Sequence, residues 1–116
     1  MSKIVVDYGN SASGGNIPFE LAPYQSRVTI SSQNCYLFND NGTAKAHITI
    51  SFTATTSIAA NAASLMNVPL QTNLNRSVTI DGASYTLIGE NGASYLRKVG
   101  AISSGQTLNL DFDYEL

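Results

Sequence analysis

From Ala44 to Thr55 apolar and polar residues alternate without a break. Ala44, Ala46, Ile48, Ile50, Phe52 and Ala54 fall on one side, and Lys45, His47, Thr49, Ser51, Thr53 and Thr55 on the other. Side chains alternate across a strand with period two, so this stretch predicts a long strand with one buried and one wet face. Asn39-Asp40-Asn41-Gly42, just before it, suits a tight hairpin turn that needs positive backbone angles. The chain closes on the same pattern: Leu108, Leu110, Phe112, Tyr114 and Leu116 alternate with Asn109, Asp111, Asp113 and Glu115. Two such strands are expected to lie near each other in one core.

The intervening segments read as shorter strands between turns. Lys3 to Tyr8 holds a short strand around Ile4-Val5-Val6, and the Gly/Ser/Asn-rich stretch from Ser11 to Asn16 reads as a loop. Ile17-Pro18-Phe19 is extended, because the residue before a proline is pushed out of the helical region. A bend at Pro23 precedes a strand from Arg27 to Ser31, a turn at Gln33-Asn34, and a strand from Cys35 to Phe38 that enters the hairpin. Ser57 to Leu70 is alanine-rich and predicts a connector with one short helix, Ile58, Leu65 and Val68 being pinned into the core. Ser77–Ile80, Ser84–Ile88 and Ser94–Val99 are three strands separated by Asp81-Gly82 and by Gly89-Glu90-Asn91-Gly92. The only internal echo, Asp81-Gly82-Ala83-Ser84-Tyr85 against Asn91-Gly92-Ala93-Ser94-Tyr95, sets Tyr85 and Tyr95 in equivalent places after their turns. About eight strands at roughly ten-residue spacing predict an all-β, antiparallel β-sandwich of jelly-roll or Greek-key type. It is expected to form a single domain over residues 1–116, with residues 1–26 as an irregular N-terminal arm packing on it.

Composition narrows the chemistry. Charged residues make up 12% of the 116-residue chain and hydrophobic ones 43%, so Ser, Thr, Asn and Gln must carry the surface, as suits the wet face of a sheet. The net charge of −2 and six scattered Lys and Arg residues predict no nucleic-acid partner, which would require a basic patch. No apolar run approaches the ~20 residues of a membrane span, so no membrane insertion is expected, and the amino terminus lacks the build of a secretion signal. Cys35 is the single cysteine. Within Cys35-Tyr36-Leu37-Phe38 it reads as a small buried hydrophobe rather than a reactive thiol.

His47 is the one histidine, and with one cysteine it cannot make a zinc site. The two could approach across the hairpin like a nucleophile and its base, but no third group is specified to orient them. Asp111, Asp113 and Glu115 share a strand face without a calcium-loop motif and read as a solvated acidic guard on a sheet edge. No enzyme activity and no cofactor are predicted. Saccharide binding suits the polar, tyrosine-bearing surface better. Tyr36, Tyr85 and Tyr95, with Asn91, Asp81 and Arg97 beside them, offer flat apolar faces next to hydrogen-bonding groups. The competing reading of each tyrosine is cross-strand packing. Gly9–Asn16 and the Asp81–Gly92 hairpins are the loops expected to carry specificity.

The order of segments resembles a known class. A long alternating strand, then Ser-Ile-Ala-Ala-Asn-Ala-Ala-Ser-Leu-Met-Asn-Val-Pro (57–69), paired short hairpins, and Ile-Ser-Ser-Gly-Gln-Thr-Leu-Asn-Leu-Asp-Phe-Asp-Tyr (102–114) resemble the head domains of bacteriophage tail-fibre and baseplate receptor-binding proteins. The resemblance covers roughly residues 27 to 116. It implies a non-catalytic virion protein, a homotrimer on the tail or capsid surface, that recognises a bacterial cell-surface saccharide or other host receptor and contacts other virion proteins. No coiled-coil or triple-β shaft is recognisable ahead of the head, so an isolated head or a small virion accessory protein is expected. The alternatives are a virion decoration or assembly protein that binds another structural protein, and a free-standing carbohydrate-binding module.

Overall fold

The computed structural model describes residues 16–61, 64–70, 75–90 and 93–116. The strand expected around Ile4–Val6, the loop residues 9–15 and Asn91 lie outside the described residues. Eight strands form two four-stranded antiparallel sheets, and no helix occurs among the described residues. In the first sheet β1 (Ile17–Phe19), β2 (Val28–Asp40), β3 (Thr43–Ala54) and β8 (Thr107–Glu115) lie in the order β1-β2-β3-β8. In the second, β4 (Ser64–Asn67), β5 (Asn75–Ile80), β6 (Ala83–Glu90) and β7 (Ala93–Lys98) lie in the order β4-β7-β6-β5. Three hairpin-linked strands with β4 returned beside β7 make Greek-key wiring, so of the two expected arrangements this one forms.

The long strand is central. β3 pairs with β2 on one side and with β8 on the other, Lys45 opposite Glu115 through Thr53 opposite Thr107. Of its six predicted inner residues, Ala46, Ile48, Ile50, Phe52 and Ala54 are buried and Ala44 is partly buried against them. They join Leu87, Leu96, Leu65, Met66 and Tyr85 of the other sheet in one core. Both predicted two-residue turns have the required backbone, with φ of 52° and 92° at Asn41 and Gly42 and of 52° and 79° at Asp81 and Gly82.

Three expectations are corrected. Gln33-Asn34 is not a turn: β2 runs unbroken for 13 residues, and its irregularity is a register shift between Ile30 and Ser32. A bulge absorbs the extra residue locally, so the strand continues through the polar stretch. Gln33 stays on the inner side because its amide is matched there. Its Oε1 accepts from the Leu21 N–H at 2.6 Å and its Nε2 donates to the Leu21 carbonyl at 3.1 Å. The Ser57–Leu70 segment contains no helix among its described residues, forming instead an Ile58–Ile102 bridge and β4. Burial of Ile58, Leu65 and Val68 held as expected, and extended chain reaches those pockets better than a short helix whose propensity is weak. Finally, residues 1–26 are not wholly irregular, since Ile17, Pro18 and Phe19 pair with Leu37, Tyr36 and Cys35.

A buried polar contact helps tie the layers together. The Tyr114 hydroxyl on β8 donates to the Pro69 carbonyl, just beyond β4, at 2.6 Å within the core.

Candidate functional site

The six residues singled out from sequence do not form one site, although Asp81 and Tyr85 line one cleft and Tyr95 and Arg97 share one strand face. Asn91 lies outside the described residues. Tyr85 is a core residue, 2% exposed, and presents no stacking face. Tyr36 sits on the outer face of the first sheet, Asp81 on the β5–β6 turn, and Tyr95 and Arg97 on the outer face of the second sheet. The repeat misled because of register. Ile88 faces Tyr95 and Leu87 faces Leu96 across the β6–β7 pair, so odd positions of β7 share a face with even positions of β6. Tyr85 therefore points inward and Tyr95 outward, although each follows its turn by the same number of residues.

Tyr95 and Arg97 are joined by two residues from a connector that carries no obvious signal. Pro23 bridges to Met66 and the Tyr24 N–H donates to the Leu65 carbonyl at 3.0 Å, laying this segment along the free side of β4. The chain then reverses over Tyr24-Gln25-Ser26-Arg27, closed by the Arg27 N–H donating to the Tyr24 carbonyl at 3.2 Å. Gln25 and Ser26 both adopt left-handed backbone, with φ of 52° and 58°. For residues with a Cβ this costs about 1–2 kcal/mol each. The bend expected at Pro23 falls just before this reversal, but a Gln-Ser pair gives no turn signal of the Asn-Gly kind, so the turn residues themselves are not marked.

The reversal brings the two side chains at its ends together. The Arg27 guanidinium lies over the Tyr24 ring, 5.1 Å from its centroid, and donates to the Ser64 carbonyl at 3.0 Å and to Gln25 Oε1 at 3.1 Å. The Tyr24 ring meets Tyr95 edge to face, with centroids 4.9 Å apart and planes at 80°. Arg97 lies two residues along the same face of β7, opposite Ser64 and Thr86. All four side chains are partly exposed. Asn67, the exposed register partner of Tyr95, leads from this patch into a largely apolar cleft of about 260 Å³ between the Phe19–Ala22 connector and Val68–Pro69.

Two other places collect polar groups. Across the first sheet, Tyr36 stacks on His47 with ring centroids 4.8 Å apart. The His47 ring nitrogens face Asp113 Oδ1 and, at 2.8 Å, Thr49 Oγ1, whose hydroxyl donates to Asp111 at 3.2 Å. The acidic row therefore stands on the edge strand as expected, but two of its three members engage neighbours. A cleft of about 240 Å³ opens between the β5–β6 turn and β8, with Asp81 and Lys98 at its rim and Leu108 and Leu110 in its lining. Among the described residues no group of three or more His, Cys, Asp and Glu side chains is placed to hold a metal ion.

The reactive candidates are disposed of by the register. Cys35 faces Ile48 while Tyr36 faces His47, so the cysteine and the histidine occupy opposite faces of the sheet. Burial pushes the Cys35 thiol above its usual value, which leaves it protonated and inert. Burial, reinforced by the Asp81 charge, likewise raises the Tyr85 phenol. Comparisons with protein-family models, with curated protein sequences and with solved structures returned no match.

Proposed function

We propose that this protein is a non-catalytic, saccharide-binding β-sandwich, working as a receptor-binding head on a bacteriophage virion. The observation that carries the binding reading is the Tyr24–Tyr95 pair, partly exposed, perpendicular and flanked by Arg27, Arg97 and Asn67. An aromatic face beside fixed donors matches the apolar and hydroxyl-bearing sides of a sugar ring. Preorganisation adds support: the Tyr24 main chain is anchored to β4, and Arg27 is held by three contacts, so little ordering is left for the ligand to drive. The phage assignment rests on the segment order over residues 27 to 116, and it carries with it a homotrimer and attachment to other virion proteins.

Two measurements test the reading. A glycan array probed with the protein should show hits that Tyr24→Ala and Tyr95→Ala abolish while the far-ultraviolet spectrum stays unchanged. Binding that survives both changes would remove this face from consideration. Light scattering should give three times the 12.3 kDa chain mass. A monomer that binds glycan would turn the assignment to a lone carbohydrate-binding module. A monomer that binds only purified virions would turn it to a decoration protein.

A further inference from the structure

We infer that the patch on the second sheet is built for an anionic group, so that the saccharide it takes is an acidic one bearing a carboxylate or a phosphate. This rests on the saccharide reading above for the sugar and on separate observations for the charge. Arg27 and Arg97 both meet Ser64, one through its carbonyl and the other through strand register. Among the described residues neither arginine has a carboxylate within ion-pairing distance; the ion pairs there involve only Lys45 and His47, with Asp40, Asp111 and Asp113. In a chain of net charge −2, this places two arginines without an ion pair on one face, as Arg76 and Lys98 are without one elsewhere among the described residues. The exposed acids Asp111, Asp113 and Glu115 stand on the outer face of the other sheet.

The donors are also poised. Arg97 Nε is buried and makes no hydrogen bond, and a buried donor left unmatched calls for an explanation. Arg76 Nε, away from the patch, is buried and unmatched in the same way; Arg97 is partly exposed as a residue, and an oxyanion meeting the accessible part of its guanidinium gains a charge-assisted bond. Arg27 spends two of its nitrogens on Ser64 and Gln25, and its guanidinium carbon lies over the Tyr24 ring. Guanidinium has five donors, so some remain for a ligand. Two left-handed, non-glycine residues, Gln25 and Ser26, set this arrangement, and strain of that kind gathers where a side-chain position is needed for binding. An acidic pyranose would lay an apolar side on the Tyr24–Tyr95 pair and turn its carboxylate or phosphate to the arginines.

The test titrates the 116-residue chain with glucose, glucuronate, glucose 6-phosphate and inorganic phosphate while recording amide and arginine Nε–H resonances. Glucuronate and glucose 6-phosphate should shift Arg97 Nε–H and the Tyr24 and Tyr95 amides at concentrations at least tenfold below those glucose requires. Arg97→Gln and Arg27→Gln should each erase most of that preference, and Arg97→Lys should retain part of it, guarding against loss through misfolding. Equal binding of glucose and glucuronate, or a preference unchanged in Arg97→Gln, overturns the inference and leaves the saccharide reading standing. Inorganic phosphate binding as tightly as glucose 6-phosphate supports the anion site and sinks the saccharide reading. Silence of the patch toward all four overturns both.

Discussion

Replacing Tyr114 by Phe removes one oxygen atom and tests how the two layers are held in register. The phenol is 5% exposed, and its hydroxyl donates to the Pro69 carbonyl at 2.6 Å. Pro69 is itself buried, so the variant leaves a carbonyl without a donor and without water. An orphaned buried acceptor costs about 1–3 kcal/mol, less a small return from not burying the hydroxyl, and about 2 kcal/mol is expected. For a domain of this size that corresponds to a fall in Tm of roughly 8 °C, or a shift of roughly 1 M in the urea midpoint. Circular dichroism through a urea series at neutral pH measures it directly. The pH dependence adds a signed check. Burial raises the Tyr114 phenol far above its ordinary value, so the native state keeps its proton while the unfolded chain releases one near pH ~10. Stability from this group is complete below that pH and declines as pH rises above it. The Phe variant lacks this dependence, so the gap between the two proteins should narrow above about pH 10. A Phe variant within about 0.5 kcal/mol of wild type, or a gap that widens in alkali, would refute the reasoning.

Other outcomes follow from the same arrangement. Cys35, buried and with its thiol raised, should resist iodoacetamide in the folded protein and react once urea unfolds it, with mass spectrometry as the readout. Tyr85→Ala should cost about 3–5 kcal/mol by opening a core cavity, whereas Tyr95→Ala should cost far less and act on ligand binding; paired melts separate the two. Ser26→Gly relieves a left-handed residue and should raise stability by about 0.5–1 kcal/mol after the entropy cost of glycine. The same change keeps the Tyr24–Arg27 turn in its conformation and should leave glycan binding on the array unchanged.

What could be read from the chain and what could not divides along a physical line. β3 and β8 were legible because each buries one face, and period two leaves no other solution for Ala44–Ala54 or Leu108–Leu116. The Asn-Gly and Asp-Gly turns were legible because few residues accept positive φ. Gln33-Asn34 misled, since a polar pair in mid-strand looks like a turn until its partner, the Leu21 backbone, is known. Tyr85 and Tyr95 misled for a related reason: which face a residue takes depends on cross-strand register, a tertiary property. Tyr24 and Arg27 were invisible as site residues because they are brought to Tyr95 by a turn without turn residues. Of the residues proposed from sequence, Tyr95 and Arg97 remain together on one face, while Asp81 and Tyr85 line a separate cleft.

The pairing of β8 with β3 also dictates how the chain can acquire its structure. All of β4 to β7 lies between those two strands, so the second sheet is an insertion within the first. Closing Thr43–Ala54 against Thr107–Glu115 means confining a loop that spans half the chain, and contacts of such separation slow folding. Until it closes, one side of β3 presents a row of unpaired backbone groups able to template another chain. A sheet interrupted by its partner cannot be completed first and decorated later. Both layers should therefore be gained and lost in one cooperative step, and removing the residues of β8 should produce aggregation rather than a smaller folded unit.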